Sequence, residues 1–470
     1  MDILLLLYCL LLVAFASYLG VKLRKYCWTL ENFFSLVILI VYVFIPINII
    51  LFGSELYDYS LKIYLFPTSR FVSFSSLFIT LFFIATFIMG GAFRGRSSNL
   101  EKVLFRKING IPLYKVVSYF ISFLSLISLV IYIHQFGDLS SLAINLALNR
   151  VDKLNSSLVG SYAFFGRFIN FAVIPIAYFL YKKRQALKDW IFLFFIPLAV
   201  LIFNTLFISA GKINLITLLL ILYFTISIRH NKLYLHYLVF ISALVFSALP
   251  VLDEMFVLAY RVFNKEGLLA VPFQIVSAIV SGSLGRGQFY DFLKDSSENF
   301  YLKSVLYFTY IQMSLQFSID NSYPLLFFSD VFTGFSKLLP SRFNIQLGLG
   351  VQELNTAIFY NFYPSLPNVH YGVPPGIIAY GMYSLSLPGV LILAFLLGYI
   401  FRGIDILFKS ILEIDRRFSS FYAYIIVILG IYPINGDPKE VIYNLAFLVF
   451  LVTFFTLSFK FKFFRREKTA

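Results

Sequence analysis

Apolar positions in this chain come in long unbroken runs, not in strict alternation. Eleven such runs, with approximate limits 3–20, 33–53, 71–92, 116–133, 161–181, 190–208, 213–228, 236–252, 377–401, 418–434 and 441–459, are separated by polar or basic segments. A helix needs about 18 or more apolar residues to cross the hydrocarbon layer, so the pattern predicts an all-α polytopic membrane protein of about eleven transmembrane helices. A β-barrel is excluded, because its strands would alternate apolar and polar positions. No internal repeat, soluble domain, Walker, Rossmann or kinase fingerprint interrupts the pattern, so 1–470 reads as one transmembrane domain with no ATP-driven step.

Composition agrees. The chain has 470 residues, 60% hydrophobic and 13% charged, with a mean hydropathy of +0.85. Soluble domains are closer to half apolar and a quarter charged. The first run contains "AFAS" (14–17), which resembles a signal-peptidase site, but Asp2 precedes the run while Lys22, Arg24 and Lys25 follow it. That charge order predicts an uncleaved span with its N-terminus outside. Alternate connections then fall on the cytoplasmic side and hold 24 of the 38 Lys and Arg but only 7 of the 23 acids, a net +17 against −2 outside. All of the excess positive charge lies on one face. The positive-inside rule accounts for it, and no nucleic acid is implied. Cys9 and Cys27 stand near opposite ends of the first span, too far apart for a disulfide. Four histidines without CxxC or HExxH spacing predict no metal site.

One connection differs from the others. Residues 253–376 form a single external loop, rich in Gly, Pro and aromatic residues and too apolar to be disordered. "GLLAVPFQIVSAIVSG" (267–282) and "YLKSVLYFTYIQMSLQF" (301–317) read as helices lying at, or dipping into, the outer membrane surface. The alternative is two extra spans, which would leave the flanking topology intact.

Candidate chemistry gathers on the external side. Lys212 stands in the tight turn "ISAGKIN" (208–214), on the side the positive-inside rule disfavours. It is either a snorkelling anchor at the headgroups or a fixed charge facing an anionic headgroup. Arg286 lies in "SGSLGRGQFYDF" (281–292), where glycines expose backbone amides and a guanidinium offers a fork for phosphate oxygens. Arg150 and Arg167 flank the start of the fifth span. Arg167 falls within the apolar run, where it serves a cavity or pairs with Asp152 or Asp138. Arg261 and Arg342 are further external cations. His370, in "PNVHYGVPPGIIAYG", is a candidate general base or an interfacial histidine bonded to backbone, with Glu353 and Asp291 as rival bases.

The tight cationic outer turn, the large late loop rich in Arg and "GVPPGIIAYGMYSLSLPGVLILAFLLGYIFRG" (372–403) together resemble bacterial O-antigen polymerases, the Wzy family of oligosaccharide repeat unit polymerases. In that family the turn often reads Ser-Gly-Ser-Arg-Gly; here Lys212 takes the Arg-like place and loses the bidentate fork. The family's Glu in the last loop-to-span passage is absent, and Ala379-Tyr380-Gly381 stands there instead. The resemblance implies a metal-independent, cofactor-free glycosyltransferase of the bacterial inner membrane, with a periplasmic N-terminus and a cytoplasmic C-terminus. It would join repeat units carried on undecaprenyl pyrophosphate in lipopolysaccharide biosynthesis. It further implies a chain-length regulator and a flippase as partners. Lys212, Arg150, Arg167, Arg261 and Arg342 would bind substrate, and His370 and Arg286 would be catalytic. Tyr290, Tyr360 and Tyr371 could stack on sugars. An O-antigen ligase, or a flippase of lipid-linked repeat units, remains the alternative.

Overall fold

The computed structural model describes residues 2–53, 72–95, 113–134, 168–181, 186–204, 212–239, 277, 305, 308–320, 323–336, 350–362, 373–414, 416–439 and 441–442. Every regular element among them is helical. In chain order these are α1 (Asp2–Tyr26), α2 (Leu30–Gly53), α3 (Phe74–Gly95), α4 (Leu113–His134), α5 (Val173–Tyr181) and α6 (187–203). They continue with α7 (Lys212–His230), α8 (235–239), α9 (308–320), α10 (Ser329–Ser336), α11 (Val351–Phe362), α12 (Ile377–Ile414), α13 (Ser419–Gly430) and α14 (Tyr432–Asn435). Among the described residues, five stretches are long and apolar enough to cross a membrane: Ile3–Lys25, Leu30–Gly53, Phe74–Arg94, Val116–His134 and Ile377–Glu413. The last of the eleven predicted runs, 441–459, lies almost wholly outside the described residues, as does most of 236–252.

The chain divides into two compact units. In the first (Met1–Ile111, Tyr301–Phe418, Ile425–Ala470), α3 and α12 pack with their backbones nearly touching. A Cβ added at Gly398 would stand 2.0 Å from the Phe87 carbonyl oxygen, and one at Gly90 2.2 Å from that of Phe395. Small residues at the seam give membrane helices the close packing that burial from water cannot drive there. Near the start of α2, a polar knot joins three helices. Glu31 pairs with Lys22 of α1 and with Arg402 of α12 at 3.6 Å. Asp405 accepts the Leu30 amide at 2.9 Å and the Glu31 amide at 3.2 Å, satisfying two of the otherwise orphaned donors at the start of α2.

Within α2, Ile40–Phe44 is a π-helical turn, and Gln312 of α9 donates to the Val41 carbonyl there at 2.9 Å. Val41 lies near the middle of Leu30–Gly53, so α9 packs alongside the middle of α2. The second unit (Pro112–Phe300, Ser419–Tyr424) repeats the device: Trp190–Phe195 of α6 is π-helical, and Ser122 of α4 donates to the Phe192 carbonyl. A π turn frees carbonyls from the regular ladder, and in an apolar medium each needs a partner. Tyr119 bonds the buried Asp189, and Asn204 donates to Asn170 at 2.8 Å.

The 377–401 run is not one straight span. Leu385 (φ −149°, ψ 28°) and Ser386 (φ 56°, ψ −146°) break α12, and Pro388 supplies no amide to rebuild the ladder. The chain bends back so sharply that a Cβ on Gly389 would stand 2.2 Å from the Gly381 carbonyl oxygen. The carbonyls left open at the break, those of Tyr383 and Ser384, accept the amides of Leu326 and Phe327 at 3.0 and 2.9 Å.

Candidate functional site

A second polar cluster of the first unit forms where four elements break or begin. Asp330 stands in the first turn of α10 and Glu353 in that of α11. Asp437 and Lys439 follow α14, whose end is set by Gly436 in the left-handed region (φ 69°). Gly436 lies against Gly376 (φ 74°), and a Cβ on Gly436 would meet the Gly376 carbonyl at 2.3 Å, so the two breaks fit only as glycines.

Lys439 Nζ lies 2.8 Å from Asp330 Oδ1 and 3.8 Å from Asp437 Oδ2. The other Asp330 oxygen accepts the Val351 amide at 2.9 Å, and Asp437 Oδ1 accepts the Lys439 amide at 2.9 Å. Glu353 accepts the Gly350 amide at 3.0 Å and is exposed, whereas Asp330 and Asp437 are buried. A Cβ on Gly350 would stand 2.3 Å from Lys439 Nζ, so the absent side chain makes room for the ammonium. Burial alone would lower the Lys439 pKa; Asp437, Asp330 and Glu353 outweigh it and hold the group above the usual lysine value. Three carboxylates face one cation, so the cluster is net negative when all are ionised.

Beneath it lies a neutral network. Asn355 is fully buried; its amide donates to Ser314 Oγ and to the Val373 carbonyl, both at 2.9 Å, and its oxygen accepts from Tyr383 at 2.9 Å. The Val373 amide donates to Thr356 Oγ1 at 2.9 Å. These bonds fix the chain entering α12 against α11. Tyr42 Oη donates to the Pro433 carbonyl at 3.2 Å and accepts the Ile378 amide at 3.3 Å, tying the same entry to α2 and α14.

α10 itself is amphipathic in the inverted sense. Asp330, Thr333, Gly334 and Ser336 face inward, while Phe332 and Phe335 are 62% and 54% exposed. Polar-in and aromatic-out is the arrangement of a helix set in apolar surroundings.

Of the residues singled out in the sequence, Lys212 is the first residue of α7, and only its backbone is described. Arg150, Arg167, Arg261, Arg286, Arg342 and His370 lie outside the described residues, as do Asp138, Asp152, Tyr290, Asp291 and Tyr371. Tyr360 is within α11, with its side chain outside the description. Glu353, named only as a rival base, is the one candidate placed in the described cluster. Asp330 and Asp437 carry no sequence signal of a site in any motif. They are scattered along the chain with no spacing to join them. The polar island "NGDPKE" (435–440) between two apolar runs was the available signal. Among the described residues no group of His, Cys, Asp and Glu is arranged to hold a metal ion. Comparison with family models, with curated proteins and with solved structures finds no match to this chain.

Proposed function

We propose that this chain is an O-antigen polymerase: a polytopic glycosyltransferase that joins undecaprenyl-pyrophosphate-linked repeat units at the outer face of a bacterial inner membrane. The observation that carries the reading is the resemblance of 372–403, following a long Arg-bearing outer loop, to the Wzy family. The proposed topology has eleven spans, with 253–376 outside. In the reaction, an acceptor hydroxyl attacks the donor's anomeric carbon, the bond to the lipid pyrophosphate breaks, and the electron pair leaves with the pyrophosphate. Cations at the leaving group stabilise that charge, so no protonating acid is required.

Lys212 and Arg286 hold the pyrophosphate in this proposal, with at least one of Arg150, Arg167, Arg261 or Arg342 assisting. The position of Lys212 as the first residue of α7 supports its part: the unpaired amides and macrodipole of a helix start already favour an anion, and the ammonium adds to them. His370 is the candidate base.

Gel profiling of lipopolysaccharide from a strain lacking the gene tests the function. A missing polymerase leaves lipid A core carrying a single repeat unit, because flipping and ligation continue. Bare core would overturn the reading and point to a ligase or a flippase.

A further inference from the structure

We propose that residues 323–328, between α9 and α10, form a flap that opens and closes over the break in α12. Its centre is the turn 326–329, closed by the Ser329 amide on the Leu326 carbonyl at 2.8 Å. Both central residues, Phe327 (φ 48°) and Phe328 (φ 57°), lie in the left-handed region. Turns of this kind are ordinarily built from Asn and Gly, because a bulky side chain there crowds its own backbone. The seat repeats the anomaly. Ser386 (φ 56°, ψ −146°) occupies a conformation that glycine alone enters readily. Three residues of positive φ, none of them glycine, thus meet across one contact. Strain of this sort persists only where the surrounding contacts impose it.

The two sides of the contact differ in firmness. The seat is fixed: Tyr380, Tyr383 and Ser384 are fully buried, Tyr383 donates to Asn355 at 2.9 Å, and the Ile378 amide donates to Tyr42. The flap has no buried residue, and Leu325 and Phe327 are 40% and 64% exposed. It is tied down by the Leu326 and Phe327 amides on the Tyr383 and Ser384 carbonyls, and by the Phe328 ring edge-on to Tyr380 at 5.8 Å. Its ends are anchored. The Tyr323 hydroxyl reaches the Ser318 and Met382 carbonyls at 2.8 and 3.1 Å, and Asp330 holds Lys439. A segment pinned at both ends, strained at its centre and without a buried side chain is the part of the fold that opens first. Lifting it lets Phe327 and Phe328 return to ordinary dihedrals and uncovers the Tyr383 and Ser384 carbonyls within the Wzy-like stretch. That this movement is a step of chain extension rests on the polymerase reading; that the flap opens does not.

The test is hydrogen exchange of the full chain purified in detergent, read by mass spectrometry on peptides covering 323–330. Chain extension in bilayers containing lipid-linked repeat units is measured beside it. In the wild type the Leu326 and Phe327 amides should exchange on the order of 10² times faster than the α3 amides around Gly90. Phe327→Asn suits the left-handed region and gives up only an exposed ring. It should slow exchange of the flap about 3- to 10-fold relative to Phe327→Ala, part of the penalty of one left-handed residue. Phe327→Pro cannot adopt a positive φ and has no amide to donate, so the flap should stay open and lose its protection. Both variants should keep the wild-type unfolding temperature, since no buried residue is touched, and both should slow chain extension. Flap amides as slow as those of α3, or equal exchange in Phe327→Asn and Phe327→Ala, overturns the proposal. So does wild-type chain extension in both Phe327→Asn and Phe327→Pro. The expected exchange differences in a chain that extends no repeat units in any form would remove the polymerase reading and leave the flap standing.

Discussion

Lys439 is the residue on which the buried charges of Asp330 and Asp437 depend. Removing it strands Asp330 and Asp437, and an uncompensated buried charge typically costs about 3–5 kcal/mol. Lys439→Met should therefore lower the unfolding temperature of the purified protein far more than Lys409→Met, a substitution outside the cluster. Removing one of the two stranded carboxylates from Lys439→Met with Asp330→Asn should return part of the loss, which a double-mutant comparison reads directly. The pH dependence has a definite sign. The folded pKa of Lys439 is raised above its unfolded value of about 10.4, so its contribution is complete below that pH and lost only as pH climbs through the folded value. The stability gap between wild type and Lys439→Met should be constant from neutral to mildly alkaline pH and narrow only above the ordinary lysine range. None of this pairing was legible in the sequence. There, Lys439 is one of several outer cations and Asp330 an isolated loop acid, because an ion pair between distant segments leaves no periodic trace.

Elements were far more legible. The runs at 3–20, 33–53, 71–92 and 116–133 emerge as α1 to α4, since uninterrupted apolar length and basic ends specify a span almost alone. What hydropathy cannot register is backbone geometry. The π turns in α2 and α6 and the reversal at Leu385–Ser386 all fall within sequence as apolar as any straight span. Pro388 and the glycines around it were the only hint, and they occur in straight membrane helices too. The α3–α12 seam gives the element-scale prediction. At Gly398 a Cβ would overlap the Phe87 carbonyl at 2.0 Å, a backbone atom that cannot swing aside. Overpacking of a close-packed seam costs about 1–3 kcal/mol, so Gly398→Val should lower the unfolding temperature, while Gly20→Val, where a Cβ meets nothing within 4 Å, should not.

For the whole molecule, the proposed topology makes a direct forecast. Reporter fusions after Lys107, Arg184 and Arg417 should report cytoplasm, and those at Gly287 and Asn435 the outer side. A cytoplasmic signal at Gly287 would place a span within 253–376 and remove the outer-loop argument. The positive-inside count carried this much from sequence, because it sums charge over whole connections and is insensitive to how they fold. The activity itself rests on a resemblance, and its most direct test is chemical. The purified chain, in lipid bilayers containing only undecaprenyl-pyrophosphate-linked repeat units, should convert them to a ladder of longer lipid-linked glycans, and Arg286→Ala should slow the conversion by about 10²–10³. Repeat units that stay single under these conditions, and are transferred only when lipid A core is added, would contradict the account and identify a ligase.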